Sequence, residues 1–213
     1  MYVGRIVSVG KTKDGKLCAM YRVSSNSFPN RHAVEVERGI AIVPKPGHED
    51  DIMKNPYIAY NCLRISQDGQ YAIATNGSHT DPITEKIDAG MNMRDALVSG
   101  LFGMDYEHDH LGTPRIASVI NIKTGEAALG TVREDALHVT KIKLEPGQAF
   151  YVATYNHNTP SVHLKDADFH VESAEGACDY ILGEGVFADL EKPISAVCAI
   201  ADGDKFQVAF KDK

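Results

Sequence analysis

A chain of 213 residues with 43% hydrophobic and 24% charged content can bury a sizeable core, and it suits one domain over residues 1–213 better than two small ones. Its formal net charge of −7, with no long basic run, argues against nucleic acid as the main partner, and no apolar run approaches the length that spans a bilayer. A small anionic ligand stays open, because a single arginine cluster can hold a phosphate on an acidic protein.

Val3–Val9 reads as a strand, Asp14-Gly15 as a turn and Leu17–Val23 as a second strand, so the chain opens with a hairpin. Cys18, Cys62, Cys178 and Cys198 are scattered, with no Cys-x-x-Cys among them, and read as buried free thiols of a cytoplasmic protein. The N-terminal stretch is too short and too interrupted for a signal peptide. From Tyr21 to Arg31 runs a polar segment with two arginines, Arg22 and Arg31, and no acid. Ser24, Ser25, Asn26, Ser27 and Asn30 lie between them. Arginine forks with hydroxyls suit a phosphate or a planar carboxamide, and they equally suit a surface loop whose arginines pair with Glu35 and Glu37.

Gly39–Val43, Tyr57–Ile65 and Tyr71–Thr75 read as strands, the last two joined by an Asp68-Gly69 turn. Alternation along the middle strand puts Tyr60, Cys62 and Arg64 on one face and Asn61 and Leu63 on the other. Tyr60 is placed to donate to a developing oxyanion, or to pack at a sheet edge with its hydroxyl satisfied. Asn76-Gly-Ser-His-Thr-Asp81 follows as a polar loop ahead of a helix that Asp81-Pro82 should start. Its Gly77 and Ser78 amides, beside His79, fit an anion at a helix N-terminus, and turn-plus-cap chemistry fits them as well. Asn92 should cap a second helix with Met93, Leu97, Leu101 and Met104 on one face.

At the end of that helix, Met104-Asp-Tyr-Glu-His-Asp-His110 crowds three acids and two histidines. Crowding raises carboxylate pKa values, which makes a glutamate a usable base near neutral pH. The alternatives are a solvated acidic helix end and a metal site on Glu107, His108, Asp109 and His110, although adjacent residues rarely supply three ligands in one geometry. After Pro114, Arg115–Ile120, Ala127–Val132, Leu137–Lys143 and Ala149–Tyr155 read as strands. Ser173 then caps a third helix ended by Gly183, and Ile194–Ile200 and Phe206–Phe210 close the chain. Hairpins with grouped helices mean an α+β fold with mainly antiparallel sheets. The phosphate-loop, dinucleotide and nucleophile-elbow glycine motifs do not occur.

Four segments taken together, Tyr21–Arg31, Asn55–Cys62, Asn76–Asp81 and Met104–Glu107 with Thr113–Ile116, closely resemble the archaeal type of IMP cyclohydrolase. The likeness is strong over roughly the first 120 residues and looser beyond. It implies the last step of purine synthesis, closure of the formamido-imidazole-carboxamide ribonucleotide (FAICAR) to IMP with loss of water. It further implies a four-layer αββα sandwich like that of N-terminal-nucleophile hydrolases, with the substrate between the sheets, and it points to a homo-oligomer. Those hydrolases begin with Ser, Thr or Cys, whereas here Met1 precedes Tyr2 and Cys18 sits inside a strand, so covalent catalysis from the N-terminus is not expected.

The reaction itself asks for few parts. A carboxamide nitrogen must lose a proton as it attacks the formyl carbon, charge grows on the formyl oxygen, and a hydroxyl leaves as water. Both reacting groups sit on one ring, so orientation supplies part of the rate, and neither metal nor cofactor is required. On that scheme Glu107 is the base, Asp105 tunes it, and Arg31 and Tyr60 polarise the oxygen. Arg22, Ser24, Ser25, Asn61, Asn76, Gly77, Ser78, His79 and Arg115 are expected to contact the nucleotide. The competing readings are a protein that binds a purine nucleotide without transforming it, and a metal-dependent hydrolase using Glu107, His108 and His110.

Overall fold

The opening hairpin forms about the Asp14-Gly15 turn: β1 (Ile6–Lys11) and β2 (Leu17–Ser24) pair antiparallel in the computed structural model, which describes residues 1–213. Gly15 takes φ +95°, a left-handed value that costs glycine nothing. The chain then lays down β3 (Arg31–Val36), β4 (Gly39–Pro44), a short helix α1 (Asp51–Lys54), β5 (Tyr60–Ile65) and β6 (Tyr71–Thr75). Two helices follow, α2 (Thr80–Asp88) and α3 (Met93–Met104), and then β7 (Arg115–Asn121), β8 (Ala127–Arg133) and β9 (Ala136–Ile142). Strands β3 to β9 stand side by side in chain order as one seven-stranded antiparallel sheet.

The rest of the chain returns to the first hairpin. It contributes β10 (Gln148–Ala153), β11 (Lys165–Asp166), α4 (Ala174–Gly183), β12 (Pro193–Asp202) and β13 (Lys205–Asp212), and completes a six-stranded sheet in the order β11-β10-β1-β2-β12-β13. The architecture is therefore α+β, built on two large antiparallel sheets. None of its helices is long and apolar enough to cross a membrane.

Alternation along the strands sorts the apolar residues into layers. In β2, Leu17, Ala19, Tyr21 and Val23 join Val7 and Val9 in a core shared with Ile42, Tyr60, Leu63 and Ile116 of the other sheet. Cys18 and Met20 point the opposite way, toward Ala177, Cys178 and Ile181 of α4. On the far side of the seven-stranded sheet, Ile83, Ile87, Met93, Leu97 and Leu101 of α2 and α3 cover Ile73 and Val119. Each such leucine or isoleucine, fully buried, contributes about 1.5–3 kcal/mol. A Cβ at Gly100 would lie 2.4 Å from Ile83 Cγ1, so only glycine lets the two helices meet at this point.

Local structure departs from the sequence reading in three places. Arg31 opens a strand rather than ending a loop. Helix α2 begins at Thr80, and Asp81 is no cap: its carboxylate accepts from Asn61 Nδ2 at 3.0 and 2.9 Å and from Arg64 Nε at 2.9 Å. Asn61 and Arg64 share that partner because β5 carries a bulge. Ala41 pairs with Asn61 and Ile40 with Leu63, so Cys62 is an extra residue and the alternation shifts by one. Arg64 thereby leaves the face it was expected to share with Tyr60. All four cysteines are buried and unpaired, as expected.

Candidate functional site

One end of the layer between the sheets is polar. The segment before β1 brings Arg5, the end of β2 brings Tyr21, the starts of β3, β5 and β7 bring Arg31, Tyr60 and Arg115, and the loop after β6 brings Gly77 and His79. Glu107 comes from the loop between α3 and β7. That loop leaves α3 through Asp105, whose φ of +56° turns the chain sharply at the helix end. The Glu107 amide then donates to the Thr113 carbonyl at 2.8 Å, and Asp109 accepts from the Thr113 amide at 2.9 Å and hydroxyl at 2.8 Å. The loop is closed on itself, and the Glu107 carboxyl is 1% exposed.

Arg5 Nη2 donates to Glu107 Oε2 at 3.1 Å, and Arg115 Nη1 stands 3.9 Å from Oε1, too far for a hydrogen bond. Burial pushes the Glu107 carboxyl above the usual glutamate range, against the pull of both guanidiniums. The guanidinium of Arg115 lies 5.5 Å over the ring of Tyr57, a cation–π contact. Across the layer, the Tyr21 and Tyr60 hydroxyls meet at 2.5 Å and join one sheet to the other. Burial raises both phenols, and Arg5 and Arg31 draw each back down. Arg31 donates from Nε to the Phe28 carbonyl at 3.0 Å.

His79 is fully buried, with Nε2 2.9 Å from the Ile116 carbonyl. A carbonyl only accepts, so Nε2 carries the proton and Nδ1 offers a lone pair. Burial, with Arg115 nearby, lowers the pKa of His79 to about 3, and the ring is neutral at pH 7. A neutral acceptor repels an anion, so the phosphate contact expected of His79 does not fit. Gly77 lies against this group: a Cβ there would be 2.5 Å from Arg115 Nη1, 3.3 Å from His79 Nδ1 and 3.5 Å from Glu107 Oε1.

Buried polar atoms without a hydrogen-bond partner are costly, about 1–3 kcal/mol each, and a folded protein keeps few. Eight side-chain atoms here are of that kind, and six belong to this cluster: Arg5 Nε, Arg31 Nη1, His79 Nδ1, Glu107 Oε1, and Arg115 Nε and Nη1. The arrangement offers donors, acceptors and a base aimed at a shared interior. Beside it, Pro114, Thr154 and Tyr155 line a cleft of about 550 Å³ that also touches Gly112, Arg133 and Asn158. Thr154 Oγ1 accepts from the Arg5 amide at 3.1 Å, and Tyr155 Oη lies 3.0 Å from Thr113 Oγ1, so the cleft wall and the cluster are joined.

Arg22 is not brought to this cluster. It points toward α4 and donates to Ser24 Oγ at 2.9 Å and to the carbonyls of Ile181, Leu190 and Glu191 at 3.2, 2.5 and 3.1 Å. Alternation from Tyr21, which faces the other sheet, dictates that direction. Ser24 is thus engaged by Arg22, and Ser25 Oγ accepts from the Phe28 amide at 3.0 Å. Asn76 spans the β6–β7 junction, donating to the Pro114 carbonyl at 3.0 Å and accepting from the Ile116 amide at 2.7 Å. Asn61 is held by Asp81, and Ser78 is exposed. Asp105 is half exposed and bound to His108 at 3.1 Å, so Asp109 rather than Asp105 is the carboxylate acting on Glu107.

His108 and His110 are exposed while Glu107 is buried, so the three do not converge as a metal-dependent reading requires. Two members of the cluster were missed in the sequence, Arg5 and Tyr21. For Arg5 the available signal was its phase, two residues before Val7 and four before Val9 in the same alternation.

Comparison with known proteins adds an independent line. Residues 2–205 match a family model described as IMP cyclohydrolase-like protein. An IMP cyclohydrolase of Methanosphaera stadtmanae is 46% identical over 212 residues, covering the whole of both chains. One from Methanocaldococcus jannaschii is 41% identical over 214 residues, again the whole of both. One from Methanocella arvoryzae is 44% identical over 209 residues, 98% of this chain and 96% of the relative.

Proposed function

The chain belongs to the IMP cyclohydrolase-like family, and from that premise we propose that the polar end of the inter-sheet layer closes FAICAR to IMP with loss of water. This is a hydrolase-class reaction of purine biosynthesis. The observation that carries the assignment to this place is the gathering of six buried, unpartnered polar atoms about one carboxylate.

Glu107 takes a proton from the carboxamide nitrogen as it attacks the formyl carbon and passes it to the alkoxide so formed. The resulting hydroxyl then leaves as water with the proton of the former formamido nitrogen, and the C=N bond of IMP forms in its place. The raised pKa of Glu107 brings base strength and proton return closer together than an ordinary glutamate would. Arg5 fixes the carboxyl through Oε2 and leaves Oε1 free for the substrate. Charge growing on the formyl oxygen is met by Arg31, whose Nη1 is buried without a partner, and by the Tyr60 hydroxyl, which Tyr21 orients. The cleft beside Tyr155 is our choice for the ribose and phosphate, its volume being that of an ordinary small-ligand site. We also read the stacking of α2 and α3, the two sheets and α4 as a four-layer αββα sandwich of the N-terminal-nucleophile-hydrolase kind. The three apolar layers support that reading.

Purified protein mixed with FAICAR is expected to form IMP, followed by absorbance and by separation of the nucleotides. Absence of IMP would remove the proposal. Gly77→Ala should cost the protein little stability, since the atom it meets is the end of one side chain, Arg115 Nη1 at 2.5 Å. Pushing that guanidinium aside should nevertheless lower kcat/KM by about 10- to 100-fold, the usual effect of a displacement near 1 Å at a reacting centre. Full activity with an unchanged melting temperature would show that Arg115 is not needed where it stands.

A further inference from the structure

We infer that Gly77, His79, Glu107 and Arg115 form a pocket that recognises the substrate's primary carboxamide as an amide, with Arg115 donating to its oxygen and Glu107 and His79 each accepting one of its N–H groups. The inference rests on the reaction proposed above and assigns a specificity role to His79. A primary carboxamide presents one acceptor oxygen and two N–H donors in a plane. Around the Cα of Gly77 the protein presents the complement, one donor and two acceptors. Arg115 Nη1, His79 Nδ1 and Glu107 Oε1 lie 2.5, 3.3 and 3.5 Å from the point a Cβ would occupy, and all three are buried without a hydrogen-bond partner.

The 3.9 Å between Arg115 Nη1 and Glu107 Oε1 is too long for a bond between them and suits an amide edge lying across both. Nothing leaves His79 free to change its role. Its other nitrogen is committed to the Ile116 carbonyl at 2.9 Å, so Nδ1 stays an acceptor. A Cβ at Gly77 would collide with Arg115 Nη1 at 2.5 Å, so the glycine is what lets the three groups stand together.

The arrangement serves the chemistry by separating the two N–H groups. His79 holds one, Glu107 removes the other, and the nitrogen is thereby turned toward the formyl group. It also sets a preference. A carboxylate at the same ring position would press a second anionic oxygen against the Nδ1 lone pair and the Glu107 carboxylate, with no proton to offer either. Arg115 alone would favour the carboxylate, so the order of affinities is decided by the acceptors.

The test uses two ribonucleotides of 5-aminoimidazole that lack the formyl group and cannot cyclise, one with a 4-carboxamide and one with a 4-carboxylate. Calorimetry on the whole chain is expected to show the carboxamide binding at least about tenfold more tightly, the effect of one well-placed buried hydrogen bond. His79→Leu should bring that ratio close to one or invert it. His79→Asn, which keeps an acceptor near Nδ1, should preserve most of it. Equal binding or a carboxylate preference in the unsubstituted protein overturns the inference even if neither variant folds, and so does an unchanged ratio in a folded His79→Leu. If FAICAR is closed to IMP while the ratio is flat, this inference alone fails. If neither ribonucleotide binds and no IMP forms, the proposed reaction fails with it.

Discussion

Replacing Glu107 by glutamine is expected to lower the rate of IMP formation about a thousandfold, inside the range of about 10²–10⁴ that general acid–base catalysis supplies. Glutamine keeps the shape and still accepts from Arg5, but it has no carboxylate to take the amide proton. The same ionisation should appear in the pH profile of the unsubstituted protein. Only the charged form is a base, so the rate rises with pH through the Glu107 midpoint and is lost as pH falls below it. Burial holds that midpoint above the ordinary glutamate range. Single-turnover rates from about pH 4 to about pH 8 check both statements. A Glu107→Gln protein at full rate, or an acid limb at or below about 4.5, would take the base role from this residue.

Arg22→Met should do the opposite, damaging the fold and sparing the kinetics. The Arg22 guanidinium is completely buried, and it satisfies carbonyls from both ends of the segment joining α4 to β12. No carboxylate pairs with it, and burial lowers its pKa to about 10. Methionine fills the space and leaves those carbonyls without donors, at about 1–3 kcal/mol each, offset in part because a charge is no longer buried. A net loss of about 2–4 kcal/mol corresponds to a fall in Tm of about 5–15 °C for a chain of this length. The KM for FAICAR should not move. If Arg22 held the phosphate, KM would rise at least about tenfold with little change in Tm, since a hydrogen bond to a charged group is worth about 1.5–3 kcal/mol.

Arg22 and Arg5 show where sequence reasoning ends. Hairpin turns such as Asp14-Gly15 and Asp68-Gly69, the Asn92 cap and the Met93-Leu97-Leu101 stripe were legible because their signals are local. The family resemblance, too, was legible in four short segments. Which side chains share a cavity was not, because that depends on strand parity across two sheets. Reading Tyr21–Arg31 as one polar segment joined residues that β2 sends in opposite directions, Tyr21 inward and Arg22 toward α4. In β5 the bulge at Cys62 defeats simple alternation, and no local signal marks it. Arg5 was overlooked although it stands in phase with Val7 and Val9, since a lone cation near a chain start is ordinarily read as solvent-exposed.

The order of strands in the six-stranded sheet has a consequence for how the molecule is made. A ribosome delivers β1 and β2 first, yet their outer neighbours β10 and β12 emerge only after the entire seven-stranded meander between them. The meander is built from adjacent hairpins and closes on contacts near in sequence, whereas the first hairpin waits with both edges open. Arg5 meets Glu107 across 102 residues of chain. The newborn polypeptide therefore carries Arg5 and Tyr21 from the outset, and the buried polar cluster they belong to is completed late, when the C-terminal strands seal the sheet that holds them.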